Sequence, residues 1–140
     1  MGEYNVNFNG YRLDRDKSGL PTYGGIYLVY CCVFNEETNR VTLNRLIYIG
    51  QSVNICDRVN NHDRYDDFLA ELKDNEMLCY SYASVAPTDL DIVENALIYM
   101  QKPKLNNELK NSFNYPDSQF NFEGRCALLK EKNFCITSNQ

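Results

Sequence analysis

The stretch that decides the predicted fold is residues 48–58, which read YIGQSVNICDR. It begins at the end of an apolar run and passes through Gly50. It then becomes helical after Ser52 or Asn54, either of which can accept a hydrogen bond from the free amides of a first helical turn. The stretch therefore predicts a strand that ends at Gly50 and a helix that follows directly.

The predicted helix carries polar side chains that could do chemistry. Arg58 lies on it, and His62, the only histidine of the chain, follows four residues later. Positions four apart share one face of a helix. Asn60 and Asn61 weaken the helix just before His62, so that residue is expected at the helix end or just beyond it.

A second apolar run, residues 25–34, starts with Gly25-Ile26-Tyr27 and predicts a strand that is covered on both faces. Residues 41–49 predict its neighbour in the sheet, and residues 77–85 predict a third strand. In an antiparallel hairpin the start of the first strand lies beside the end of the second. Four polar side chains would then converge at one edge of the sheet: Tyr27, Tyr48, Arg58 and His62.

Glu94 breaks the apolar pattern of the helix predicted for residues 90–101. It lies within the stripe formed by Leu90, Val93, Leu97 and Met100. A carboxylate on the buried side of a helix is costly unless it has a partner or a metal ion, and such exceptions tend to mark functional sites. A buried ion pair with an arginine such as Arg58 is the structural alternative.

These side chains together could hydrolyse a phosphodiester bond. That reaction needs an oriented water, stabilisation of charge on the phosphate, and relief of charge on the leaving oxygen. Arg58 offers a planar cationic fork for phosphate oxygens. Glu94 offers a hard oxygen ligand for Mg²⁺. Tyr27, Tyr48 and His62 could relay or orient protons.

The two tripeptides Gly25-Ile26-Tyr27 and Tyr48-Ile49-Gly50 are followed in order by six further polar positions: Ser52, Asn54, Arg58, His62, Glu94 and Asn106. Across residues 25–106 this pattern resembles the GIY-YIG nuclease family. The resemblance implies an α+β fold in which a small three-stranded antiparallel sheet is flanked by helices. It also implies a Mg²⁺-dependent endonuclease that acts on DNA, with Mn²⁺ as a substitute ion. His62 is most similar to the restriction-enzyme branch of the family.

The same resemblance implies a role for each catalytic residue. Tyr27 would be the general base or would orient it, and Tyr48 would position the attacking water. Arg58 would bind the scissile phosphate, and His62 would hydrogen-bond a catalytic tyrosine or assist proton transfer. Glu94 would bind the metal ion.

Four further positions are expected to support the site. Gly50 and Asn106 are expected to shape and brace it, although Asn106 could instead serve a turn after Pro103. Ser52 and Asn54 could be helix caps or substrate contacts.

At 140 residues the chain is expected to be one domain. Its predicted parts are an N-terminal arm at 1–23, a catalytic core at 24–106 and a C-terminal extension at 107–140. The first segment is polar and is interpreted as an arm or a short edge element; a solvated tail is favoured over a contribution to DNA contact. Residues 106–122 are expected to be irregular, and short apolar runs at 126–129 and 134–136 could be strands or a final helix. DNA recognition would have to come from the arm, the hairpin loop or the extension.

Charge and composition limit the function classes. The net charge of −5 argues against tight, nonspecific nucleic-acid binding through a basic surface, but it allows a local phosphate site. No run approaches the roughly 20 apolar residues of a membrane helix, and no secretory signal is recognisable, so a cytoplasmic protein with no membrane partner is expected. The six cysteines lack disulfide or zinc spacing and are expected to be reduced thiols.

Two classes of function remain open at this point. The first is the Mg²⁺-dependent DNA endonuclease, in which a homodimer is one arrangement that would allow double-strand cleavage. The second is a catalytically inactive GIY-YIG-fold module that binds nucleic acid or protein, for which the acidic charge is the main argument. No aromatic RNA-binding motif favours an RNA nuclease.

Overall fold

The β-branched and aromatic runs of the chain form one six-stranded sheet in the computed structural model, which describes residues 1–137. Its strands are β1 (Gly2–Leu13), β2 (Gly25–Asn35), β3 (Arg40–Ser52), β4 (Met77–Ser84), β5 (Ser118–Gly124) and β6 (Asn133–Ile136). The order across the sheet is β3-β2-β4-β1-β5-β6. All neighbours are antiparallel except β1 and β5, which are parallel.

The prediction of a small three-stranded sheet flanked by helices is wrong. Strands β3, β2 and β4 do pair antiparallel, as their apolar runs indicated. However, β1, β5 and β6 continue the same sheet beyond β4, so the sheet is larger and mixed. The two missed strands, β1 and β5, have polar residues on one face, and this lowers their overall hydrophobicity without changing their strand period.

The interpretation of residues 1–23 as a solvated arm is also wrong. Strand β1 lies between β4 and β5, where Val6 and Phe8 are buried while the asparagines that alternate with them, Asn5, Asn7 and Asn9, are exposed. A 3-10 helix follows at Asp14–Gly19, and Asp14 accepts hydrogen bonds from the hydroxyls of Tyr65 and Tyr80. The segment is therefore part of the sheet and of its packing.

The C-terminal segment is irregular as expected up to residue 117, but its next residues form β5. Phe120, Phe122 and Phe134 from β5 and β6 are buried against one another. The apolar run at 134–136 is a strand, and the run at 126–129 lies in a turn. These aromatic rings close the core at this end of the sheet.

The helices divide between the two faces of the sheet. Helix α3 (Leu90–Gln101) packs on the face that receives Ile26, Leu28 and Tyr30 of β2. Helices α1 (Ile55–Asn60) and α2 (Tyr65–Ala70) pack on the face that receives Tyr27, Val29 and Cys31. Because both faces of β2 are covered, its run is continuously apolar, as predicted.

All six cysteines are free thiols, four of them buried. This agrees with the prediction of reduced, unpaired cysteines. Among residues 1–137, none of the helices has the length and apolar character that crossing a membrane would require.

Candidate active site

The register of the β2–β3 hairpin places Tyr27 opposite Gly50. A Cβ on residue 50 would overlap the oxygen-bearing end of the Tyr27 ring, so only glycine leaves room for this side chain. Gly25 is required for a similar reason, since a Cβ there would overlap the backbone carbonyl of Ala83 in β4. The two glycines of the motif thus allow the sheet to hold a tyrosine that is only 1% exposed.

His62 lies two residues beyond the end of α1, so it does not share a helical face with Arg58. As expected from Asn60 and Asn61, the helix ends before His62, with Asn60 as its last residue. The backbone N–H of Arg64 donates to His62 Nδ1 at 3.1 Å, and the N–H of Tyr65 donates to the His62 carbonyl at 3.2 Å. The turn between α1 and α2 therefore orients the ring.

These bonds assign the tautomer of His62. Since a backbone N–H can only donate, Nδ1 is the acceptor, and the proton of the neutral ring is on Nε2. Nε2 then donates to the Tyr27 hydroxyl oxygen, with 2.8 Å between the two atoms. Burial, and next the charge of Arg58, lower the pKa of His62 to about 4, so the ring is neutral at physiological pH.

Arg58 acts on the same tyrosine through its charge. Burial is the larger effect and raises the pKa of Tyr27 well above its ordinary value, while the nearby guanidinium of Arg58 opposes this by lowering it. Arg58 also pairs with Asp63 at 2.8 Å, and its side chain is 36% exposed. Tyr27 is therefore protonated at neutral pH, and its oxygen is held by the imidazole of His62.

Tyr48 is fixed by rings on several sides. The His62 ring meets it edge-on at 5.4 Å, and Phe68 packs on it at 5.2 Å. The Arg64 guanidinium lies 5.7 Å from the centre of its ring, within the range of a cation–π contact. Burial raises the pKa of Tyr48; the charge of Arg58 lowers this pKa and the charge of Glu94 raises it. Arg58 and Glu94 therefore both act on the Tyr48 hydroxyl.

Glu94 reaches the site from α3, on the opposite layer of the fold. Its Oε1 accepts a hydrogen bond from Gln51 Nε2 at 3.0 Å, and the same nitrogen donates to Asp91 Oδ1 at 2.7 Å. No cation among residues 1–137 forms an ion pair with Glu94, and Arg58 has Asp63 as its partner instead. Burial raises the pKa of Glu94. The structural alternative of a Glu94–Arg58 ion pair is therefore not observed.

Tyr48 and Glu94 face a common cavity of about 210 Å³. The remaining lining comes from Arg64, Ile98 and residues 106–109. The cavity is large enough for several water molecules or a phosphate group. It gives the two side chains access to a ligand from solvent.

Asn106 supports this edge of the sheet from outside. Its Oδ1 accepts the backbone N–H of Ile49 at 3.0 Å, and its Nδ2 donates to the Ile49 carbonyl at 2.9 Å. The buried amide thus takes the place of a neighbouring strand beside β3, between Tyr48 and Gly50. This pairing fixes the backbone that carries both residues.

Ser52 and Asn54 make local contacts at the start of α1. Asn54 is the N-cap, and its Oδ1 accepts the N–H of Asp57 at 3.0 Å. The Ser52 hydroxyl bonds to the N–H and the carbonyl of Asn54. Neither residue lines the 210 Å³ cavity. Asn54 caps the helix, whereas Ser52 fixes the backbone of the cap residue and is not itself a cap.

Glu94 is the side chain that could hold a metal ion. Among residues 1–137, no three His, Cys, Asp or Glu side chains lie close enough together to form a metal cluster. Mg²⁺ beside a substrate phosphate usually has only one or two carboxylate ligands, and water and phosphate complete its shell. Glu94, with Asp91 three residues before it on α3, fits that donor set.

Four residues of the site were missed from the sequence: Gln51, Asp63, Arg64 and Asp91. The spacing of Asp91 and Glu94 could have indicated the neighbouring carboxylate. No sequence signal identifies the other three, because their contacts depend on the turn after α1 and on the approach of α3 to the end of β3.

Comparison with protein-family models, with curated proteins and with solved structures finds no match to the chain. The likeness to GIY-YIG nucleases therefore rests on the residues themselves, and membership of that family stays a prediction.

Proposed function

We propose that the protein is a Mg²⁺-dependent endonuclease that hydrolyses phosphodiester bonds in DNA. The observation that carries the proposal is the buried Tyr27 oxygen, which accepts a hydrogen bond from His62 and lies within the influence of the Arg58 charge, together with Glu94, a part-buried carboxylate that forms no ion pair among residues 1–137. A purely structural sheet has no need of a part-buried acid without a counter-charge. The choice of DNA rests on the resemblance to the GIY-YIG family.

Arg58 binds the scissile phosphate in this mechanism. Its pair with Asp63 is exposed, and exposed ion pairs contribute little to stability. A phosphate can therefore replace the carboxylate, and the guanidinium can bind its oxygens through two parallel hydrogen bonds. Asp63 holds the guanidinium in position until the substrate arrives.

Tyr48 and Tyr27 handle the water and the proton. The Tyr48 side chain lines the cavity and orients the attacking water there. Tyr27 receives or relays the proton only from its anionic form, which the charge of Arg58 favours and burial opposes, so a bound Mg²⁺ would have to lower its pKa further. His62 stays neutral and fixes the Tyr27 oxygen. A Mg²⁺ ion at Glu94 would supply charge for the leaving oxygen and would lower the pKa of nearby hydroxyl groups.

The proposal is tested with supercoiled plasmid and with labelled single-stranded DNA and RNA, incubated with the purified protein in Mg²⁺, Mn²⁺ or EDTA. We expect nicking of DNA in Mg²⁺ and none in EDTA. Glu94→Gln keeps the size of the side chain and removes its charge, so it should reduce cleavage by at least about 100-fold. Glu131→Gln is the matched control, because it removes one exposed carboxylate outside the site.

Retained cleavage by folded Glu94→Gln would show that Glu94 does not bind the catalytic ion. Failure of the folded wild-type protein to cut any DNA substrate in either metal would overturn the endonuclease and favour the inactive binding module. Cleavage of RNA alone would replace the substrate class.

A further inference from the structure

A second groove, of about 810 Å³, is lined by four of the seven arginines of the chain. These are Arg12, Arg15, Arg40 and Arg125, and Asp16 is the acidic residue of the lining. We name this surface the arginine groove. Its positive charge contrasts with the net charge of −5 of the whole chain.

The cations of the arginine groove are poorly compensated. Within residues 1–137, Arg12, Arg40 and Arg125 form no ion pair. Arg15 meets Glu36 at 3.6 Å, with both side chains more than half exposed. The other three arginines each pair with a carboxylate: Arg45, Arg58 and Arg64. The arginines that are not paired at close range are thus gathered in one groove, which favours a polyanionic ligand.

The groove reaches towards the candidate active site through Tyr82. This residue lines the groove and is the register partner of Tyr27 in the β2–β4 pairing. Paired residues of antiparallel strands lie about 5 Å apart at their Cα atoms. Tyr82 also packs in the same cluster as Tyr27, so the two side chains share a face of the sheet. One extended ligand could therefore contact both places.

We infer that the arginine groove binds the sugar–phosphate backbone of duplex DNA away from the bond that is cut. The inference rests on the proposed function, and it names the surface that holds the substrate. Guanidinium groups match phosphate oxygens in shape and charge, and Tyr11, Phe34 and Tyr82 add apolar surface on which deoxyribose groups can pack. An acidic polypeptide would leave these aromatic faces unused. The groove thus explains how an acidic chain holds a polyanion.

The test measures binding without cleavage. The full chain with Glu94→Gln is titrated in EDTA against a labelled duplex of about 30 base pairs, by fluorescence anisotropy over a range of salt concentrations. Arg15→Gln with Arg40→Gln should weaken binding roughly tenfold and reduce the slope of log Kd against log salt by about 2, one for each lost phosphate contact. Lys73→Gln with Lys130→Gln is the charge-matched control, because both lysines are exposed and neither lines the groove.

An unchanged salt slope in the arginine variant overturns the inference, and so does an equal loss of DNA affinity in the lysine control. In either case, cleavage of plasmid by the wild-type protein would still support the endonuclease. Groove-dependent binding by a protein that cuts nothing supports the inference and overturns the proposed activity. Groove-dependent binding of polyglutamate without binding of DNA overturns the inference in favour of an acidic protein partner.

Discussion

Tyr27 and His62 form the most constrained pair of side chains in the candidate site. The imidazole is enclosed by Tyr27, Tyr48 and Phe68, and its two nitrogens are used by Tyr27 and the backbone of Arg64. Protonation of Nδ1 would break the bond from the Arg64 N–H and would place a cation near Arg58. The same contacts that orient Tyr27 therefore oppose a charge on His62.

This arrangement predicts a stability that depends on pH. The pKa of His62 is about 4 in the folded protein, below its value near 6.5 in the unfolded chain. The unfolded state therefore binds more protons between these values, and stability is lost as pH falls from 6.5 towards 4. We expect the wild type to lose roughly 2 kcal/mol more than His62→Gln between pH 7 and 4.5. Urea unfolding at both pH values measures it.

The comparison between the wild type and His62→Gln isolates the effect of the imidazole. Carboxylates such as Glu76, whose pKa Arg45 lowers to about 2, titrate in both proteins and therefore contribute equally to both losses of stability. Equal losses of stability in the wild type and His62→Gln would contradict a buried neutral imidazole.

Strand β3 lies at the edge of the sheet, and its outer backbone groups are paired by the segment after α3. The N–H of Leu105 donates to the Ile47 carbonyl at 3.1 Å, and the side chain of Asn106 pairs with both backbone groups of Ile49. This short pairing holds Tyr48 and Gly50 in place on the otherwise open edge. It joins the end of α3, which carries Glu94, to the strand that carries the tyrosine.

Asn106→Ala should loosen this edge. The substitution leaves a buried N–H and carbonyl of Ile49 without partners, which costs about 1–3 kcal/mol. We expect faster amide exchange at Ile49, measured by NMR, and a lower free energy of unfolding. Asn107→Ala is the control, because its exposed side chain forms no bond to β3. Unchanged exchange at Ile49 in Asn106→Ala would show that the amide pairing does not hold the strand.

Strand β1 joins the two halves of the molecule. It pairs antiparallel with β4, which belongs to the half of the candidate site, and parallel with β5, which belongs to the C-terminal half. Two of its inward-facing residues, Val6 and Phe8, contribute to the cluster that includes α3 and the phenylalanines of β5 and β6. The alignment of α3, and hence of Glu94, depends on this shared core.

Substitutions at neighbouring positions of β1 should differ strongly in effect. Phe8 is 2% exposed, so Phe8→Ala is expected to cost about 3–5 kcal/mol through lost burial and a cavity. Asn7 points to solvent, and Asn7→Ala should change stability by no more than about 0.5 kcal/mol. Chemical denaturation measures both. Small and similar effects would mean that the N-terminal segment is a peripheral arm after all.

Local patterns in the chain were sufficient for β2, β3, β4 and α3, because each is a continuous run with a strong period. The same patterns identified Glu94 as a carboxylate within the apolar stripe of its helix. They also indicated the ordered set of candidate residues: Tyr27, Tyr48, Arg58, His62 and Glu94. Such signals depend on neighbours two to four residues apart, which the sequence displays directly.

Only the tertiary structure decided which segments meet. The parallel pairing of β1 with β5 joins residues more than 100 positions apart, and the arginine groove gathers residues 12, 15, 40 and 125. It also decided that Arg58 pairs with Asp63 and that Gln51 bridges Asp91 and Glu94. Contacts of this kind follow from the packing of the whole chain, because closing a long loop adds little entropic cost and leaves no mark on local sequence.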